Sequence, residues 1–303
     1  MEGKHPGASD YALLIMLAAI WGSSFLVIKV AVDTVPATTM TLGRLAIASV
    51  VLLLVARHAG QRLPRSLRVW GVVALAALFG STLPFTLIAW AEEKIDSGLA
   101  AILMGVMPLT TVLLAHLLTS DEKLNARKSA GVALGFIGLI ILIGPQKLMS
   151  LGDDTLRHLA VASAAACYGF NAIISKTLVG YPRRSITAAL MLASTVMVLP
   201  FALWFDRSWT MEASSISLLA ILLIGLLHTA IGTLLMFNII DRQGASFFSQ
   251  INFLVPVFGL LWGMTLLAER PPANGYAALG FILLGVAVAR GGQRRQQKVN
   301  QER

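Results

Sequence analysis

The pentapeptide Ala133-Leu134-Gly135-Phe136-Ile137 returns unchanged, 145 residues later, as Ala278-Leu279-Gly280-Phe281-Ile282. Outward from it, three more anchors keep the same order at offsets of 145 to 148: Trp21-Gly22 with Lys29 against Tyr168-Gly169 with Lys176, Ile95-Asp96 against Ile240-Asp241, and Pro108 against Pro256. Apolar segments match by chance easily, because few residue types are in play. A shared order at a near-constant offset is the mark of an internal repeat.

The sequence between the anchors is strongly apolar. Of 303 residues, 56% are hydrophobic and 13% charged, with a mean hydropathy of +0.76; soluble domains carry about 25% charged residues. The charges gather in short stretches between long apolar runs, which makes the chain a polytopic membrane protein. Disorder, collagen and a large soluble enzyme are excluded, and the single cysteine, Cys167, rules out an internal disulfide framework.

A bilayer core of about 30 Å needs about 20 apolar residues per helix. Ten segments qualify: 11–32, 37–56, 69–91, 97–119, 127–144, 158–179, 185–205, 215–240, 245–268 and 274–290. The first run continues to Val32, longer than a signal peptide's apolar stretch, so it counts as helix one. Sixteen of the 24 Lys and Arg residues then fall on the side of the termini and five on the other, while Lys29, Arg44 and Lys176 lie within helices. This bias predicts both termini in the cytoplasm, in a bacterial-type inner membrane. The basic tail, with Arg290, Arg294, Arg295, Lys298 and Arg303, reads as an anchor on anionic lipid and not as a nucleic-acid groove.

Each repeat holds five helices, an odd number, so the second enters the membrane from the opposite side. The expected architecture is all-α, with ten transmembrane helices in two inverted five-helix repeats: residues 1–144, a connecting loop 145–157, residues 158–290, and a basic tail 291–303. Such repeats suit alternating access around a midplane site.

On these residues the chain resembles the drug/metabolite transporter superfamily, in its ten-helix branch of EamA-type repeats. The resemblance is carried by Trp21-Gly22-Ser23-Ser24-Phe25, Arg44, the run from Ala91 through Ser97, Pro108 and Glu122 to the glycine-rich helix five, and its second copy through Gly244, Pro256 and Glu269 to Gly280 and Gly285. It covers nearly the whole chain and is most similar to the YddG-type aromatic amino-acid exporters. The resemblance implies a transporter of small metabolites, often outward. Near Met191 the second repeat lacks a counterpart of Arg44, so any role of Arg44 belongs to one half.

Glu92, Glu93, Asp96, Glu122, Asp241 and Glu269 all fall at helix ends or in loops, leaving no acid expected inside the membrane. That counts against cationic drugs and favours facilitated over proton-linked movement. His228, near the centre of helix eight, can donate to a substrate carboxylate or carry a proton, or else bond a neighbouring helix. Arg44 either attracts an anionic group or contacts carbonyls or an acidic loop. Lys29 and Lys176 read as snorkelling.

Trp21, Ser24 and Phe25 share a helical face, as do Tyr168 and Asn171 one repeat on. Together they can stack on a planar apolar substrate and bond its polar end. Phe79, Thr82, Met104, Met107 and Gln250 complete the candidate substrate-binding set, with packing as the plainer reading of each. Pro108 and Pro256 interrupt equivalent helices and are candidate hinges. Gly131, Gly135 and Gly138 permit close packing within the chain, with dimerisation the lesser reading. Gly22-Ser23-Ser24 lacks a nucleophile elbow, so no catalytic residue, cofactor or metal is expected. The partners are a small-molecule substrate and membrane lipid. The expected activity is export of small amphipathic metabolites, aromatic or hydrophobic amino acids first; the alternatives are a lipid or polyprenyl-carrier flippase, or an exporter of another metabolite or drug.

Overall fold

In a computed structural model the described residues are 6–119, 124–144 and 153–301. Glu122, the connecting-loop residues 145–152, Lys4, Lys123 and Lys147 lie outside them, as do the side chains of the basic tail.

The described chain is helical, and its helices follow the apolar runs. Eight are long and apolar enough to cross a membrane: α1 (Ala8–Ala31), α2 (Ala37–His58), α3 (Leu67–Glu92), α4 (Ser97–Leu118), α5 (Ala126–Ile143), α6 (Asp154–Leu178), α7 (Arg183–Trp204) and α8 (Ser215–Ala245). Two further apolar helices, α9 (Ile251–Leu266) and α10 (Ala273–Ala289), are shorter. Local chemistry sets several starts. Pro36 and Pro182 immediately precede α2 and α7, where a missing N–H costs nothing. The Asn125 side chain accepts from Lys128 N–H at 2.9 Å and that of Ser214 from Ser217 N–H at 3.1 Å, capping α5 and α8.

Helix α9 begins at Ile251, later than the expected 245. Gly244, at φ 81°, breaks the backbone there, and a second turn at Ser249 and Gln250 separates the short 245–248 piece from α9. In α4 the corresponding break falls at Gly105 and Val106, just ahead of Pro108. Pro256 instead sits inside the continuous α9. The two prolines therefore stand differently relative to the breaks in their helices.

The packing pairs are related by exchange of the two halves. α1 packs on α8 and α9, and α6 packs on α3 and α4; α2 packs on α7; α5 packs on α10. Glycines set the closest approaches. A Cβ on Gly131 would lie 2.5 Å from the Gly285 carbonyl oxygen, and one on Gly285 would lie 2.6 Å from that of Gly131, so α5 and α10 meet backbone to backbone. Between the halves, Gly22 lets α1 approach Phe258 and Gly259 of α9, as Gly169 lets α6 approach Thr111 and Leu114 of α4. The expected use of the α5 glycines in packing within the chain is what the structure displays.

A feature absent from the sequence reading is a π-helical turn in α3, Leu78–Thr82, and another in α8, Ile224–Ile231. Their starts are 146 residues apart, the offset of the repeat. Such turns widen a helix locally and re-aim side chains, and they recur at functional sites.

Candidate functional site

The α8 turn presents neighbouring side chains to two different helices. His228, 4% exposed, faces α1: its Nε2 is 3.0 Å from Ser23 Oγ and its Nδ1 is 3.1 Å from the Leu223 carbonyl. Trp21 closes over the same turn, donating its indole N–H to the His228 carbonyl at 3.1 Å and packing edge-on against Phe248. Thr229 faces α2, where its Oγ1 accepts from Arg44 Nε at 2.9 Å.

Arg44 is 7% exposed and its guanidinium lies 3.5 Å from the Phe85 ring centroid. Cation–π stacking of this kind is worth about 0.5–2 kcal/mol. Tyr168 and Glu92 lie within electrostatic range, but among the described residues no carboxylate makes an ion pair with Arg44. The outer acidic loop that the sequence offered as a partner does not reach it. A buried guanidinium that meets a hydroxyl and an aromatic face, with no ion pair among the described residues, has donors that can take an anionic group.

The α3 turn forms the matching contact with α6. Asn171 lies against Gly80, where an added Cβ would come within 2.8 Å of its Cγ, and Phe79 packs on Phe170 at 5.4 Å between centroids. Thr82 donates toward Met197 Sδ of α7 at 3.8 Å. Phe79, Thr82 and Asn171 thus lie on the α3–α6–α7 side and Trp21, His228 and Arg44 on the α1–α2–α8 side, while Tyr168 of α6 packs against the cluster that holds Phe85, within electrostatic range of Arg44.

Other candidates fall elsewhere. Ser24 donates back to the Trp21 carbonyl at 2.6 Å, a bond within its own helix. Phe25 is buried against Gly259 and the Ala100–Leu103 stretch, in a different cluster from Trp21, so the shared face splits between two neighbours. Met104 and Met107 flank the α4 break, half-buried. Gln250 is half-buried at the turn that begins α9. Lys29 does not snorkel: its ammonium donates to the carbonyls of Glu92 at 2.7 Å and Ile95 at 3.0 Å, capping the end of α3. Lys176, its repeat partner, is exposed in a 3-10 turn.

The expectation of an acid-free interior needs correcting. Glu92 is the last residue of α3, yet it is 0% exposed and neither carboxylate oxygen has a hydrogen-bond partner. The signal was in the sequence: Phe85, Ile88, Ala89 and Glu92 fall at i, i+3, i+4 and i+7, one stripe of a helix, and all four are buried. Ser23, Phe85 and Thr229 were likewise passed over, the last because it only gains its role from the π turn beside His228.

Around Glu92 the end of the bundle is tied together across the two halves. Arg157 of α6 stacks on Trp90 at 3.8 Å and pairs with Glu93 at 2.8 Å. Glu269 accepts from the N–H groups of Ser97 at 2.8 Å and Gly98 at 2.9 Å, an anion at a helix N-terminus. Thr34 bonds Ser217 at 2.8 Å, and Thr39 bonds Asp206 at 2.9 Å. Burial, then the negative charge of Glu269, pushes the Asp96 carboxyl above its ordinary value, with Lys29 opposing.

Comparison with known proteins gives this arrangement its class. The EamA-like transporter family matches the chain twice, over residues 9–144 and 156–291. The chain is similar to a "probable terminal-alkyne amino-acid exporter" of Streptantibioticus cattleyicolor, 27% identical and covering 86% of each chain. It is 26% identical to a "probable amino-acid metabolite efflux pump" of Escherichia coli, covering 91% of this chain and 92% of that one. A third relative, the S-adenosylmethionine/S-adenosylhomocysteine transporter of Chlamydia trachomatis, is 24% identical over 90% of this chain and 86% of its own. A crystal structure with 20% identity has a TM-score of 0.63 and covers 93% of this chain and 97% of its own, a likeness of fold. The chain belongs to the EamA-like transporter family and is a multi-pass membrane transporter.

Proposed function

We propose that this transporter exports small amphipathic metabolites, with aromatic and hydrophobic amino acids as the leading class, across a bacterial inner membrane. The observation that carries the reading is Arg44, a buried guanidinium that makes no ion pair with a carboxylate among the described residues, stacked on Phe85 and within electrostatic range of Tyr168 and Glu92. A substrate carboxylate completes it, as a bidentate or single charge-assisted bond. Trp21, Phe79 and Tyr168 offer apolar surface to the side chain, and His228 and Ser23 a polar contact. The names of two relatives, an amino-acid exporter and an amino-acid metabolite efflux pump, support the class.

In this reading ten helices form two inverted repeats, with both termini in the cytoplasm, and the halves rock about a site between the π turns of α3 and α8. The exchange of packing partners between halves and the equal spacing of the turns support it. The break in α4 just ahead of Pro108, and the turns at Gly244 and at Ser249 and Gln250 that precede α9, are where this part of the chain bends, with Pro256 inside α9 itself.

The test is uptake of labelled tryptophan, phenylalanine, alanine and lysine into sealed proteoliposomes, with Trp21→Ala and His228→Ala beside the parent. Saturable flux that favours the aromatic pair and falls in both variants is expected. No flux above empty liposomes from folded protein would remove the amino-acid reading and bring lipid carriers and other metabolites forward.

A further inference from the structure

Where α2 ends and α7 begins, the two packed helices leave between them a groove of about 520 Å3, lined by Leu54, Val55, His58, Ala59 and Arg184. Its two ends differ in chemistry. On α2, Val50, Leu54 and His58 follow one another at i, i+4 and i+8, an exposed stripe. The stripe is apolar for about 12 Å of the span and turns polar at its last member, the final residue of the helix. Arg184, in the first turn of α7, stands at the same polar end.

The fold holds that end in place. Ser185 N–H donates to Gln61 Oε1 at 3.2 Å and its hydroxyl donates to the Arg62 carbonyl at 2.7 Å, so the start of α7 is tied to the turn that follows α2. Arg183 is engaged by α8, paired with Asp241 and lying over the Phe237 ring. Arg184 and His58 make no ion pair among the described residues. The charge around them has one sign: residues 57–68 carry Arg57, Arg62, Arg65 and Arg68 and no Asp or Glu.

Arginines in a loop at a membrane surface would by themselves do no more than set topology. Here two basic side chains rim an apolar hollow at the end of a span, which complements a molecule with an anionic head and a hydrocarbon chain. The hollow at the far end of α7 lacks this character, since only apolar and aromatic side chains line it, Phe201, Trp204 and Trp209 among them.

We propose that the α2–α7 groove binds an anionic phospholipid of the bilayer, with its phosphate between Arg184 and His58 and an acyl chain over Leu54 and Val50. The guanidinium fork of Arg184 can give the phosphate two charge-assisted bonds, and the His58 ring adds one. Because α2 belongs to the first half and α7 to the second, the bound lipid bridges the halves at this end. The proposal requires only that the chain sits in a membrane, and it stands whichever substrate is carried.

The test is native mass spectrometry of the full chain in detergent, with dioleoyl phosphatidylglycerol or dioleoyl phosphatidylcholine added. The parent is compared with Arg184→Gln and with Arg65→Gln, which removes the same charge from the same end of the bundle but outside the groove. Preference of the parent for phosphatidylglycerol is expected, with affinity for the first molecule bound falling roughly fivefold in Arg184→Gln and by less than about twofold in Arg65→Gln. Equal losses in the two variants, or phosphatidylcholine held as tightly as phosphatidylglycerol, overturns the proposal. Glycerol 3-phosphate, added as a soluble competitor at the lipid's own concentration, is expected to leave the lipid bound. Its displacing the lipid would make the groove a site for free phosphate esters and also overturn the proposal.

Discussion

The π turns of α3 and α8 occupy equivalent places in the two halves, yet they carry different chemistry. The α3 turn offers Phe79, Gly80 and Thr82 to α6 and α7, through a ring contact, an amide lying on backbone and a hydroxyl near sulfur. The α8 turn offers His228 and Thr229 to α1 and α2, and through Thr229 holds the buried guanidinium of Arg44. The backbone device is duplicated while the polar functions are divided. A cation, Arg44, stands at the α8 turn and a mostly apolar wall at the α3 turn; in the function proposed above these would meet the two ends of an amphipathic substrate.

Substitutions can break or sharpen that contrast. The largest effect is expected at Arg44. Loss of a charge-assisted bond of about 1.5–3 kcal/mol should lower kcat/KM for phenylalanine in Arg44→Gln by roughly 10- to 100-fold, and Arg44→Lys should recover little, because an ammonium cannot reproduce the planar fork that stacks on Phe85. Next comes His228: truncation to Ala removes a bond of about 1 kcal/mol and should cost roughly fivefold in the same assay, with His228→Gln milder because an amide still reaches Ser23. On the α3 side, Thr82→Val should change transport by less than about threefold, since a weak contact to sulfur is all it loses. Equal losses at Thr82 and His228 would erase the distinction between the turns.

The smallest contrast is between the repeat-related lysines, and it reads stability, not transport. Lys29→Met should destabilise the folded protein by about 1–2 kcal/mol, because two carbonyls lose a charged donor. Lys176→Met, at an exposed position, should stay within about 0.5 kcal/mol. Thermal unfolding in detergent measures both, and matching shifts would contradict the capping role of Lys29.

Much of the fold was legible in the sequence because each part rests on a local pattern. Apolar run length gives the helices, the recurrence of Ala133–Ile137 at Ala278–Ile282 gives the duplication, and Gly131 and Gly135 give a close helix contact. The site was less so. Trp21 and Phe25 share a face on an ideal helix, but that face meets two neighbours, so one joins the α8 turn and the other the core. The π turns leave no composition mark, since they arise when packing on α1, α2, α6 and α7 favours a widened turn over a regular one. Glu92 departs from expectation because a position at a helix end does not by itself mean contact with water. The stripe it shares with Phe85 and Ile88 says otherwise, and Lys29, Arg157 and Glu269 fold the chain over it.

The proposed carboxylate site on Arg44 is tested most directly by comparing it with Met191, the residue nearest its place in the second repeat. Phenylalanine exchange in proteoliposomes by the parent, Arg44→Gln and Met191→Gln puts the same amide in both halves. The account predicts that Arg44→Gln nearly abolishes exchange while Met191→Gln keeps most of it, with both proteins folded. Equal retention of exchange in the two variants would contradict a carboxylate site built on Arg44.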